Sequence, residues 1–184
     1  MIYVGEIEKI RGLDLILKSM PYIIKKDKEV KFLIVGEGKY RIYLEKLVKD
    51  LRIDKYVEFT GWINSKEVPT RIKKANIGIV PHRVNQFTNT TIPNKLFDYM
   101  AFGIPVLVTE MKPVKRVVEK EKCGIVISVG SSYQEIADII IELKNSPKQL
   151  ALMGEKGRNA ILKKYNWEIE FKKAFDILEK MVSK

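Results

Sequence analysis

The segment TNTTIPNKLFD, residues 88–98, brings hydroxyls, backbone amides, an ammonium and a carboxylate into one short stretch. Pro93-Asn94 signals a helix start, so Thr90, Thr91, Ile92, Asn94 and Lys95 stand at a helix N-terminus. Amides there lack intrahelical partners, and the helix dipole adds roughly half a positive charge. Lys95 adds a full one. The chemistry that follows is capture of an anion, phosphate above all. Asp98, one turn further in, would repel phosphate. It suits a hydroxyl-rich group such as a ribose diol, and the plain alternative is an exposed helix carboxylate.

Other loops carry related chemistry. In GEIEKIRG, Gly5 allows a tight exit from a strand and Arg11 stands just before a helix start. There it could reach an anion or simply be a solvated loop residue. Gly36-Glu37-Gly38 with Arg41 is half of a dinucleotide fingerprint, and a plain strand-to-helix turn explains it equally well. Trp62-Ile63 after Gly61 could flank a planar base, although core or interface packing is the commoner use of tryptophan. His82 could donate to a ligand oxygen; a lone histidine is more often structural.

Positioning these residues requires an alternation of strands and helices. Short apolar runs predict strands over Ile2–Val4, Lys31–Val35, Val57–Phe59, Ile77–Val80, Val106–Val108 and Gly124–Ile127. Helical spacing marks Leu13 to Ile24, Tyr43 to Leu51, Ser65 to about Ala75, and Pro113 to Glu119. Ser132 with Glu135 forms a capping box ahead of helices over about 134–145 and 147–164. A last helix after Asn166-Trp167 aligns Phe171, Ala174, Phe175, Leu178 and Met181. Strands apolar on both faces belong to a sheet covered on both sides. The expectation is an α/β fold, a doubly wound parallel sheet of Rossmann-like type, with ligands at the carboxyl ends of the strands.

The totals bound the function classes. With 184 residues, one domain is the default. No apolar run approaches the roughly 18 residues of a membrane span. One cysteine excludes an internal disulfide framework, and one histidine excludes a His-rich metal site. A net charge of +11 suits an anionic partner, although Lys-rich helix faces account for much of it. The positive residues are spread over every helix, which argues against a nucleic-acid-binding face.

Taken in order, Tyr3-Val4-Gly5, Arg11-Gly12, FLIVGEG with Arg41, VEFTGW, ANIGIVP and PNKLFDYMAFGIPVLVT resemble the C-terminal, donor-binding domain of a GT-B glycosyltransferase. The family is the retaining one called group 1 or family 4. The last block is specific, and a branch reading P-[NS]-K-[LI]-x-[DE]-Y-M is the nearest form. The resemblance covers nearly the whole chain, 1–184 being one such domain.

The resemblance implies roles residue by residue. The family holds the donor diphosphate with an Arg and a Lys in the loop after strand one. The Lys position is Arg11 here, and the Arg position is Glu6, a carboxylate where a phosphate ligand is expected. Amides at Thr91 and Ile92 bind phosphate with Lys95. The family's sugar-binding glutamate falls on Thr90, and its ribose-binding glutamate on Asp98. Trp62-Ile63 matches the nucleobase loop. Gly5, Gly36, Gly38, Arg41 and Asn94 complete the donor surface.

The implied activity is transfer of a sugar from a nucleotide diphosphate sugar, with retention, to an unknown acceptor. Arg11 and Lys95 would stabilise the leaving group. No metal or other cofactor is expected, and no complete catalytic set lies in this domain. GT-B enzymes are about twice this length. The expectation is therefore one half, needing an N-terminal acceptor domain or a separate subunit, toward which the helix over about 167–182 packs back. The expected location is the cytoplasm, with a peripheral anionic membrane surface at its inner face and self-association as further partners, and no nucleic acid. The competing reading is a non-catalytic nucleotide-binding or assembly module that pairs with another chain. Epimerases that share the GT-B fold rely on different donor-loop residues.

Overall fold

A computed structural model of the chain describes residues 1–182, without the side chains of residues 173, 174, 180 and 182. Six strands form one parallel sheet: β1 Ile2–Val4, β2 Phe32–Val35, β3 Val57–Gly61, β4 Gly78–Val80, β5 Val106–Thr109 and β6 Gly124–Ile127. Their order is β3-β2-β1-β4-β5-β6. The order reverses between β1 and β4, where Ile2 pairs with Gly78. That reversal opens a crevice at the carboxyl ends, the usual place for a ligand in a doubly wound sheet.

Eight helices connect and cover the strands: α1 Leu13–Lys26, α2 Arg41–Asp50, α3 Val68–Lys73, α4 Asn94–Ala101, α5 Lys112–Glu121, α6 Tyr133–Lys144, α7 Pro147–Lys163 and α8 Trp167–Val182. Alternation along each strand sends side chains to two cores. Tyr3, Phe32, Ile34, Ile79, Leu107 and Ile127 meet Leu13, Ile16, Met20 and Ile140 of α1 and α6 on one face. Ile2, Val35, Val80, Val106 and Val108 meet Leu96, Tyr99, Val114 and Val118 of α4 and α5 on the other. The short apolar runs are therefore buried on both sides, as the pattern predicts.

Tyr99 locks α4 onto the sheet. Its hydroxyl accepts the Val4 amide at 3.0 Å, and it is fully buried. The ring lies where a side chain on β4 would project: a Cβ on Gly78 would fall 2.3 Å from it. The glycine thus lets α4 approach close enough to present its N-terminus at the crevice.

One local expectation shifts. Ser65 does not start α3. Asn64 accepts the Lys66 amide at 2.9 Å, holding a turn, and the helix begins at Val68 with proline in its first turn. The helix start expected at Pro93-Asn94 is where α4 begins: Asn94 is its first residue, Pro93 occupies the cap position, and no side chain caps it. Along α8, Trp167, Phe171, Phe175, Leu178 and Met181 are exposed, with Trp167, Phe171 and Phe175 in successive ring contact. The side chain of Ala174 and residues 183 and 184 lie outside the described residues. The capping box of Ser132 and Glu135 is formed at α6.

Candidate functional site

The loops after β1, β2 and β4 are knitted together at the carboxyl edge by backbone contacts. Ile7 donates its amide to Glu37 O at 2.7 Å and accepts from the Tyr40 amide at 3.0 Å. A Cβ on Gly36 would lie 2.1 Å from Gly5 O, and one on Gly38 2.2 Å from Ile7 O. These glycines serve the close approach of two loops, as a strand-to-helix turn at this edge requires. Gly12 plays the same part on the other side, where a Cβ would meet Pro81 O at 2.0 Å. There the Arg83 amide donates to Ile10 O at 2.9 Å. The Arg83 guanidinium donates to the buried Asp14 carboxylate at 2.6 Å and to Lys9 O at 3.1 Å.

Lys95 reaches back from α4 to the end of β1. Its ammonium lies 3.1 Å from the Tyr3 hydroxyl and 4.2 Å from the centre of that ring. The hydroxyl passes its own proton to Glu6 O at 2.6 Å. Gly5 leaves room for this arrangement, since a Cβ there would sit 3.0 Å from Lys95 Nζ. Burial, then Arg11, push the ammonium down to about 7, while Asp98 and Glu6 act in the opposite direction. A cation this poorly solvated gains when an anion arrives.

Arg11 is partly buried, its side chain 30% exposed. Its Nε is buried without a partner, and its terminal nitrogen lies 3.6 Å from Glu6 Oε2. Glu6 therefore faces Arg11, at the edge of the same crevice. His82, at the end of β4, is buried, and its carbonyl accepts Thr109 Oγ1 at 2.5 Å. Its Nε2 is buried and has no partner among the described residues. Burial, Lys95 and Arg11 hold the ring neutral, down to about 3.

The hydroxyl-rich loop before α4 is rigid by its own bonds. The Asn85 and Thr88 side chains cap each other's amides at 2.9 Å, and the Thr88 hydroxyl donates to Arg83 O at 2.7 Å. Asn89 accepts the Lys112 amide at the start of α5, tying the loop to the next helix. Thr90 spends its hydroxyl proton on Phe87 O at 2.7 Å. The amides of Thr91 and Ile92 make no hydrogen bond among the described residues, and the first turn of α4 has no side-chain cap. This row of unpaired amides beside Lys95 is the candidate anion cradle. Asp98 is exposed one turn on, its carboxyl raised by partial burial and pulled back by Lys95.

Two further candidates differ in how free they are. Arg41 is committed to Glu37 and, at 2.7 Å, to Glu45, beside Gly61; it is no free cation. Trp62 lies outside the core, 72% exposed, with Ile63 half-buried beneath the same turn. Sequence reasoning missed Tyr3, Arg83 and Asp14. Only Tyr3 carried a signal, a polar-tipped aromatic one residue before the end of a buried strand. A cavity of about 510 Å³ lies at the amino edge between Lys31, Lys74, Ile77 and Leu150. It is remote from this crevice.

A model of the family described as glycosyl transferases group 1 matches residues 1–160. The chain is 26% identical over 171 residues to a GDP-mannose-dependent monoacylated alpha-(1-6)-phosphatidylinositol monomannoside mannosyltransferase of Corynebacterium glutamicum. That match takes in 92% of this chain and 44% of the relative, so the chain spans less than half the relative's length. The fold matches Anabaena HepE in complex with UDP-glucose at a TM-score of 0.83 and 15% identity, over 97% of this chain and 48% of that one. It also matches the C-terminal domain of the group 1 glycosyl transferase LpcC from Francisella tularensis. There the TM-score is 0.76 at 22% identity, over 90% of this chain and 85% of that domain. Among the described residues, no helix is long and apolar enough to cross a membrane.

Proposed function

The chain belongs to the group 1 glycosyl transferases, and on that premise we propose that it forms the donor-binding half of a GT-B enzyme that transfers a sugar from a nucleotide diphosphate sugar. One observation carries the reading: a poorly solvated Lys95 ammonium stands beside Arg11 and the open amides of Thr91 and Ile92. These positive groups stand at the same edge of the sheet, and a leaving diphosphate requires such charge. As the bond from the anomeric carbon to the diphosphate breaks, negative charge grows on the phosphate oxygens. Lys95, Arg11 and the α4 dipole meet that charge without reorganising. Asp98 takes the ribose hydroxyls, and Trp62-Ile63 lies against the base. Transfer proceeds with retention and needs an acceptor-binding domain, on the same polypeptide or another. α8 supplies an apolar surface for that domain.

The Glu6–Arg11 contact favours a second reading, a nucleotide-binding module without transfer activity, because Glu6 occupies a position suited to a phosphate ligand. Calorimetry with uridine, guanosine and adenosine diphosphates tests the common premise. Heat that disappears in Lys95→Met supports it, and no heat with any of the three overturns it. Sugar release on adding an acceptor domain separates the two readings.

A further inference from the structure

His82 is the chain's one histidine, and its surroundings are unusual for a structural imidazole. The ring is 1% exposed, yet Nε2 has no partner among the described residues. A buried ring nitrogen left without a partner carries its whole desolvation cost. Packing explains why the ring is buried but not why this nitrogen is left unpaired. The backbone that carries it is fixed on both sides: His82 O accepts from Thr109 on β5, and the Arg83 amide bonds Ile10 in the loop after β1. The backbone at His82 is therefore held between that loop and β5. The charges that act on it are Lys95 and Arg11.

We propose that His82 is a third, uncharged ligand of the donor diphosphate, its Nε2–H donating to a phosphate oxygen held by Lys95 and Arg11. The inference rests on the diphosphate reading of the crevice. A third cation among these two would add repulsion in the empty site. A neutral imidazole adds a directed hydrogen bond without it, and keeps that bond when Lys95 loses its proton. The two cations that hold the ring neutral also draw the phosphate to it.

The single histidine allows a direct test on the full chain. Imidazole nitrogen NMR of the isotope-labelled protein contains one ring and needs no assignment. In the free protein the ring stays neutral across about pH 5 to 8. Saturation with guanosine or uridine diphosphate shifts the Nε2 resonance and slows exchange of its proton. His82→Leu weakens diphosphate binding about tenfold, the loss of one hydrogen bond to a charged group, and leaves the nucleoside without phosphate unaffected. His82→Gln, which places an amide nitrogen near Nε2, recovers most of the loss. An Nε2 resonance that stays still in a calorimetrically saturated complex overturns the inference and leaves the donor site standing. Absence of nucleotide binding overturns both. If the variants do not fold, the wild-type resonance alone decides.

Discussion

Lys95 lies over Tyr3, its ammonium donating to the hydroxyl at 3.1 Å and resting 4.2 Å from the ring centre. The contact joins the first strand to the helix that opens the crevice, 92 positions later in the chain. It holds the charge where solvent is scarce, and most of what can be measured at this site follows from that.

The ammonium's value of about 7 lies below its unfolded value of 10.5. Between these limits the unfolded chain binds more protons, so stability rises with pH across that window. Diphosphate binding has the opposite sign, because it needs the charged form. Affinity should fall as pH climbs above 7, with Arg11, Asp98 and Glu6 as the other charges facing the group. Calorimetry at about pH 8, in two buffers of different ionisation enthalpy, should show proton uptake on binding. Identical heats in both buffers would remove Lys95 from the titration, and Lys95→Met should abolish the buffer dependence.

Glu6 competes with phosphate for Arg11. The pair is 3.6 Å apart and partly exposed, so its own worth is about 0.2–1 kcal/mol. Glu6→Gln should tighten nucleoside diphosphates several-fold, and Glu6→Arg more, by adding a ligand. The effect should shrink as salt is raised. An unchanged Kd in both variants would place the carboxylate outside the ligand's reach.

Asp98→Ala should cost a ribonucleoside diphosphate about 1–3 kcal/mol, the range for a hydrogen bond to a charged acceptor. The dideoxy analogue should lose much less. Equal losses in the two titrations would assign Asp98 to general electrostatics instead of the ribose.

Gly78→Ala puts a methyl group 2.3 Å from the Tyr99 ring, so α4 must shift or the strand must bend. Overpacking of this kind costs about 1–3 kcal/mol. Denaturant unfolding should show that loss. Because α4 carries the anion cradle, diphosphate affinity should fall with it even where the chain remains folded. Normal affinity in a destabilised variant would uncouple the helix position from the site.

The sheet and its helices were legible because burial on two faces writes itself into short apolar runs such as Phe32–Val35 and Val106–Thr109. The anion cradle was legible because threonines, Pro93 and Lys95 are neighbours in sequence. The floor beneath it was not. Tyr3 meets Lys95, and Arg83 meets Asp14, only because β1 and β4 are adjacent in the sheet. Periodicity says nothing about which loops touch. Arg41 failed as a free cation for a local reason: Glu37 and Glu45 stand four residues either side of it and claim the guanidinium. Ser65 failed as a cap because Asn64 forms the turn first.

The chain's two tryptophans report on two different surfaces. Trp62 stands 72% exposed on the loop after β3, and Trp167 78% exposed at the head of α8. Both indoles emit from water, so the native protein should fluoresce nearly as far to the red as the denatured chain, and unfolding will be almost silent in emission. Covering either surface should be visible instead. With Trp167→Phe, the remaining indole is an optical probe of nucleotide contact; with Trp62→Phe, the other becomes a probe of whatever docks along α8.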